Sequence, residues 1–287
     1  MPSVVVTGVS TGIGHATVKV LLDKGFHVFG SVRKEADAER LQAEFGAAFT
    51  PLIFDVTDQA AIARAADQVR ESLDGELLAG LVNNAGMAVP GPLLELPVEQ
   101  FRHQLEVNLV GVFMVTQAFA PLLGAGPGHS GTRGRIVNIS SVAGVRALPF
   151  LGPYAASKFG LEGYSESLRR ELLLYGVDVI IIGPGPVRTP IWDKADEADT
   201  TPYQGSPYLD ILTRFSKAFI QQGRQGYPAE KLGELVHHAL TTSKPKVRYA
   251  AVKGRAMEKL VMRFASKRAL DRLVGKTLGL LPPLDQR

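Results

Sequence analysis

The stretch Ser3-Val4-Val5-Val6-Thr7-Gly8-Val9-Ser10-Thr11-Gly12-Ile13-Gly14 decides how the rest of the chain is read. Its β-branched run favours a pleated strand, and the three glycines then allow backbone conformations closed to other residues. From Gly12 to about Lys24 the pattern turns helical, and Gly25 closes it in the manner of a helix C-cap. A strand that feeds a helix N-terminus through glycines offers unpaired N–H groups and a positive dipole end to a pyrophosphate. The spacing here is G-x-x-x-G-x-G, not the commoner G-x-G-x-x-G.

Working outward, strand-like and helix-like segments alternate. Strands are expected at Phe26–Val32, Phe49–Phe54, Leu77–Val82, Arg135–Ser140 and Val177–Ile182. Helices are expected at Glu35–Phe45, at Asp58–Leu73 with Asp58 in the N-cap region, from about Pro97 to Leu123, and from Pro153 to about Tyr175. Runs apolar on both faces are what a parallel sheet covered on each side requires. The expected fold is α/β: one doubly wound Rossmann-type domain over 1–287, mainly parallel, with helices on both faces. From Thr189 to about Tyr227 the pattern loosens around Trp192, so 189–227 is expected to be a mobile substrate-binding segment. Lys246–Val252 is expected as a last edge strand, followed by basic amphipathic helices in a C-terminal extension, 244–287.

Composition removes several function classes. With 45% hydrophobic and 21% charged residues over 287 positions, the chain suits a globular domain with a substantial core. It has no cysteine, which excludes disulfides, thiolate metal sites and cysteine nucleophiles. His15, His27, His103, His129, His237 and His238 show no metal-ligand spacing, so no metal is expected. A hydrolase reading finds no support. The weakly polar stretch 109–128 carries Thr116, Gln117 and Pro121, and reads as a buried or subunit-facing helix rather than a membrane span. A strand that begins almost at once leaves no room for a signal peptide, and a cytoplasmic location is expected. The net charge of +4 is uneven: 244–287 holds 12 Lys and Arg against 3 Asp and Glu, and the remainder 20 against 25. A solvated basic helix face accounts for that tail; no motif points to nucleic acid, and peripheral membrane contact through the tail is a weaker alternative.

The glycine spacing and several later motifs together resemble the short-chain dehydrogenase/reductase family. Asp55-Val56 follows the third strand, Asn83-Asn84-Ala85-Gly86 the fourth, and Asn108 lies in Val-Asn-Leu. Ser141 closes Ile-Val-Asn-Ile-Ser-Ser, Tyr154-Ala-Ala-Ser-Lys158 gives Y-x-x-x-K, and Pro184-Gly185-Pro186-Val187-Arg188-Thr189 completes the series. The resemblance spans roughly 3 to 190 and thins beyond, where the basic tail is similar to that of steroid- and retinol-type members.

Y-x-x-x-K by itself is weak, since it also occurs at Tyr227/Lys231 and Tyr249/Lys253. Only Tyr154 sits on an expected helix thirteen residues after a strand-end serine, where positions four apart share a face. A free tyrosine titrates at about 10, and a nearby ammonium favours the phenolate. The resemblance implies an NAD(P)-dependent oxidoreductase interconverting a carbonyl and an alcohol. Tyr154 is its general acid/base, Ser141 holds the substrate oxygen, Lys158 also binds the nicotinamide ribose, and Asn108 supports a water-mediated path to Lys158. Its implied cofactor contacts are Gly8, Ser10, Thr11, Gly12, Ile13, Gly14, Arg33, Asp55, Val56, Asn83, Ala85, Gly86, Tyr154, Lys158, Pro184, Gly185, Val187 and Thr189.

At the end of the second strand Ser31-Val32-Arg33-Lys34 lacks the acid that would hold a ribose diol, so Arg33 favours NADP over NAD. Ile191, Trp192, Tyr203, Tyr208, Leu209 and Phe215, with Leu148, Phe150 and Leu151, suggest a hydrophobic small-molecule substrate. A homodimer or homotetramer is expected. The competing reading is a non-catalytic dinucleotide-binding sensor or scaffold on the same fold.

Overall fold

Seven parallel strands form the centre of the computed structural model, which describes residues 1–128, 131–197, 201–251 and 266–282. In chain order the elements are β1 (Ser3–Val6), α1 (Gly12–Asp23), β2 (His27–Val32), α2 (Glu35–Phe45), β3 (Phe49–Ile53), α3 (Gln59–Leu73), β4 (Gly80–Asn83), α4 (Val98–Leu105) and α5 (Gly111–Phe119). There follow β5 (Arg135–Ile139), α6 (Gly152–Glu171), β6 (Asp178–Pro184), β7 (Val187–Arg188), α7 (Ile191–Asp196), α8 (Leu209–Arg224), β8 (Tyr227–Pro228), α9 (Ala229–Thr241), β9 (Arg248–Ala251) and α10 (Lys267–Leu278). The sheet runs β3-β2-β1-β4-β5-β6-β9. Strand order reverses at β1, which opens a crevice at the carboxyl ends of β1 and β4.

The two-residue period of the strands divides the core into two layers. Val4, Val6, Val28, Val82, Val137, Ile180 and Ile182 face one cluster with α1, α2 and α9. Val5, Phe29, Leu52, Leu81, Ile136 and Val179 face the other with α3 and α5. Helices α1 and α9 approach closely because Gly233 carries no side chain: a Cβ there would lie 2.9 Å from the Ala16 carbonyl oxygen.

Three expected elements differ in detail. β4 starts at Gly80 because the preceding Leu78 N–H is taken by the Leu122 carbonyl of another element. The helical region that opens at Val98 is interrupted by a π-turn, Glu106–Val110, and ends in a 3-10 turn, Ala120–Leu123. Val98–Leu123 is long and apolar enough to cross a membrane, yet Val115, Phe119, Leu122 and Leu123 pack into the core. Among its described residues the segment 189–227 holds α7 and α8, with Arg224 paired to Asp193 and Asp196 and Trp192 lying over Gly223. Of the basic extension, β9 and α10 are described; 252–265 and 283–287 lie outside the described residues.

Phe119 is fully buried in the second layer. Phe119→Ala is expected to cost about 3–5 kcal/mol in urea unfolding, since the cavity joins two helices to the sheet.

Candidate active site

The glycine turn is built to lie against the chain that leaves β4. Gly8 has φ +69°, and a Cβ there would meet the Ala85 Cα at 2.8 Å. A Cβ on Gly14 would stand 2.2 Å from the Gly8 carbonyl oxygen. The turn's polar groups are then satisfied from three sides. The Ser31 hydroxyl accepts from the Gly8 N–H at 3.0 Å, and the Asn84 side-chain amide donates to the carbonyls of Thr7 (2.8 Å) and Gly8 (3.0 Å). The Thr7 hydroxyl in turn accepts from the N–H groups of Asn84 and Ala85.

The first turn of α1 is left uncapped. No side chain caps it at Thr11 and no acidic residue stands in it, so its N–H groups and dipole face the crevice without an internal anion. Gly12, at φ +66°, keeps this edge open: a Cβ there would reach only ordinary contact distance, 3.4 Å, from Thr189. That contact brings the end of the β6 loop beside the head of α1. A pyrophosphate fits this cradle by shape and by charge.

The outer contacts fall along the same edge. Arg33 is an exposed side chain at the end of β2, 3.8 Å from the Asp55 carboxylate. Burial raises the Asp55 pKa, but hydrogen bonds from the Thr57 N–H and hydroxyl, with Arg33 nearby, outweigh it and hold the carboxyl below its ordinary value. Val56 is buried against Gly111. Gly185 is tied to β9 by its N–H to the Ala251 carbonyl. Asn83 turns away from the crevice: its amide donates to Thr116 and Asn138 inside the core, and Asn84 is the residue that grips the turn.

Ser141, Tyr154 and Lys158 come together at the carboxyl end of β5. The Tyr154 phenol is hydrogen-bonded to Ser141. Lys158, one turn further along α6, has its ammonium 5.8 Å from the centre of the Tyr154 ring and donates to the Ile139 carbonyl at 2.8 Å. Burial pushes the Tyr154 phenol above the ordinary tyrosine range, with the Ser141 bond working against it. The depressed phenol pKa expected from Lys158 is therefore not what this arrangement produces. Burial also acts on Lys158, lowering it to about 8 while the Glu162 carboxylate pulls upward.

Asn108 does not turn its side chain to Lys158. It lies in the π-turn, where its amide oxygen accepts from the Met87 N–H and its nitrogen donates to the Met87 carbonyl and the Ser157 hydroxyl. Ser157 donates to the Tyr154 carbonyl. Asn108, helped by Gln104, thus clamps the loop after β4 and links it to α6. The other Y-x-x-x-K pairs stand apart. Tyr227 and Lys231 line a cleft between α9 and β9, and the Tyr249 hydroxyl accepts from the Lys246 N–H; Lys253 lies outside the described residues.

A third apolar cluster takes in Phe150 and Leu151, just ahead of Tyr154 in the chain. Phe150, Leu151, Tyr203, Leu212 and Phe215 form its centre, with Leu278 and Leu280 from the end of α10 against it. Phe150 has φ +63°, a strained value for an aromatic residue, and Gly91 donates to its carbonyl. Beside Phe150 an apolar groove of about 160 Å³ is lined by Pro92, Leu93, Leu94, Pro149, Tyr208 and Leu280.

Sequence reasoning passed over Ser31, Gln104, Ser157, Glu162 and Arg248. Glu162 was within reach, since it stands four residues after Lys158 on one helix face. The role of Arg248 carries no local signal.

A doubly wound sheet with an uncapped glycine cradle at its switch point and a Ser/Tyr/Lys set beyond defines a dinucleotide-dependent oxidoreductase. Residues 2–200 match the short chain dehydrogenase family, and the chain belongs to it. As a member it acts on CH–OH or C=O groups. It is 40% identical over 277 residues to the NADPH-dependent 3-dehydrocapnine reductase of Ornithobacterium rhinotracheale, covering 96% of this chain and 97% of that protein. To the human 17-beta-hydroxysteroid dehydrogenase type 6 it is 34% identical over 262 residues, covering 86% of this chain and 80% of that one. The crystal structure of a short-chain dehydrogenase from Streptomyces avermitilis superposes with a TM-score of 0.74 at 25% identity, over 98% of both chains.

Asn84→Ala removes both bonds to the turn carbonyls. Affinity for the dinucleotide is expected to fall about tenfold, corresponding to about 1.4 kcal/mol, in fluorescence titrations with NADPH and NADH.

Proposed function

We propose that this protein interconverts a hydrophobic ketone or aldehyde and its alcohol using NADP, with Tyr154 as the proton-transferring group. The observation that carries the reading is the Tyr154 phenol bonded to Ser141, with Lys158 on the same helix face, at the end of a crevice that starts in the glycine cradle. A bound nicotinamide dinucleotide supplies the hydride for reduction and accepts it in oxidation. The residues that would hold it are the Gly8–Gly14 turn, Asp55 and Val56 near the adenine, Ala85 and Gly86, and the Pro184–Thr189 loop.

In reduction, Ser141 holds the carbonyl oxygen while Tyr154 gives it the phenolic proton. The raised phenol pKa keeps that proton in place until the oxygen develops charge. Lys158 then faces a nascent phenolate, and its cation stabilises that charge. Oxidation of the alcohol runs the same transfers backward. The groove beside Phe150 and the aromatic cluster above it offer apolar walls to the rest of the substrate.

Two readings support NADP. Arg33 is exposed at the end of β2, and Val32 stands at the strand end where an acid would hold a ribose diol and repel a 2′-phosphate. The relative named above is NADPH-dependent. Self-association is supported by the exposed apolar residues Val110 and Phe113 at the π-turn and α5, and Phe159 on α6.

Assays with NADPH and NADH on decanal and acetophenone test the reading. Tyr154→Phe is expected to lower kcat at least about 100-fold; retained turnover removes the proposed proton donor. Arg33→Ala is expected to weaken NADPH about tenfold and leave NADH unchanged, and equal losses for both would sink the NADP preference. Lys158 is cationic below about 8 and loses that charge as pH rises through it. In the reduction direction, kcat/KM is therefore expected to fall on the alkaline side of that value, which a pH–rate profile of the wild-type protein reads directly.

A further inference from the structure

We infer that Glu162 and Arg248 are a positioning pair through which the last strand of the sheet holds Ser141 and Lys158 in place. The inference rests on the catalytic reading of Tyr154 and Lys158 given above. Glu162 lies on α6 one turn beyond Lys158. Its carboxylate accepts from Arg248 twice, at 2.9 Å from Nε and 3.1 Å from Nη2, and from the Ser140 hydroxyl at 2.6 Å. Arg248 Nη2 also reaches the Ser141 carbonyl at 3.4 Å. Both charged side chains are largely buried, 14% exposed for Glu162 and 25% for Arg248.

The surroundings are shaped around this network. A Cβ on Gly183 of β6 would come within 2.4 Å of Arg248 Nη2, so the guanidinium lies on backbone that has no side chain. A Cβ on Gly144 would come within 2.8 Å of the Ser140 hydroxyl and 2.9 Å of the Glu162 Cγ. A fork-shaped cation meeting a carboxylate at two points fixes orientation as well as distance. Here that orientation passes to the Ser140 hydroxyl and the Ser141 carbonyl on one side and to α6 on the other. Arg248 lies beyond the residues matched by the family, 2–200, so the site draws a member from the C-terminal extension.

The charged and titratable groups around Lys158 are Tyr154 and Glu162 on its own helix and, behind Glu162, Arg248 on β9. β5 and the turn after it present the Ile139 carbonyl and the hydroxyls of Ser140 and Ser141. The π-turn presents the neutral amide of Asn108, which is bonded to Met87 and Ser157. Removing the Glu162 charge takes away the group that holds the Lys158 proton against burial.

The test uses the full chain and the variants Glu162→Gln, Arg248→Lys, Arg248→Ala and Ser140→Ala, with Tyr154→Phe alongside. The Lys158 ammonium is titrated by NMR of isotope-labelled lysine in the protein without cofactor. The pH profile of decanal reduction by NADPH is measured in parallel. In Glu162→Gln the Lys158 midpoint and the alkaline limb are expected to move together to lower pH than in the wild type, with kcat down about tenfold and KM little changed. Arg248→Lys is expected to recover part of the activity lost in Arg248→Ala, because one ammonium keeps the charge but not the fork. Should Arg248→Ala fail to fold, Ser140→Ala removes one contact of Glu162 without disturbing the charges and is expected to lower kcat. An unchanged Lys158 midpoint in Glu162→Gln, or wild-type kcat in both Arg248→Lys and Ser140→Ala, overturns the pair's role. Those results with an inactive Tyr154→Phe defeat this inference alone, whereas an active Tyr154→Phe defeats the catalytic reading beneath it.

Discussion

The Lys158 ammonium is a charge folded almost completely out of water, at 6% exposure, and the site is arranged around keeping it there. Burying a cation is unfavourable unless other groups replace its hydration. Here the Ile139 carbonyl accepts a hydrogen bond from it directly and the Glu162 carboxylate supports it from one turn away. Because Ile139 ends β5 and Glu162 belongs to α6, satisfying one ammonium fixes a helix against the end of a strand. Tyr154, Ser157 and Lys158 ride on that helix, so their positions follow from the same requirement.

A second constraint acts at the other end of the crevice. A turn as tight as Gly8–Gly14 leaves backbone carbonyls and N–H groups that need partners once buried. Thr7, Ser31 and Asn84 supply them, leaving the first turn of α1 as the part without an internal partner. The contrast is informative: the structure satisfies the turn and leaves unsatisfied the N–H groups best placed for a pyrophosphate.

Between these ends the loops after β4 and β6 meet the cradle, through Ala85 against Gly8 and Thr189 beside Gly12. The third apolar cluster draws on residues far apart in the chain: Phe150 before α6, Tyr203 and Phe215 around α8, and Leu278 and Leu280 at and after the end of α10. The segment 189–227 carries little strand or helix signal in its first half because Pro, Gly and acidic residues interrupt it. Its helices hold through tertiary contacts instead, the Arg224 ion pairs and the Trp192 indole donating to the Val187 carbonyl.

Much of the protein was legible in its residue order because the information is local. The β-branched run before Gly8, the i,i+4 placement of Tyr154 and Lys158, and the alternation of apolar strands with helices each depend on periodicities of a few residues. Those features sufficed for a parallel doubly wound sheet, and the family resemblance added the expectation that Ser141, Tyr154 and Lys158 act together. Asn83 and Asn84 are adjacent and chemically identical, and only the packed sheet decides that one faces the core and the other the cradle. Asn108 likewise serves Met87 and Ser157 because a π-turn rotates it there. The sign of the Tyr154 shift belongs to burial, a quantity that exists only once the chain is folded. Arg248 reaches Glu162 across 86 residues of sequence, a contact made by the strand order of the sheet and by no pattern along the chain.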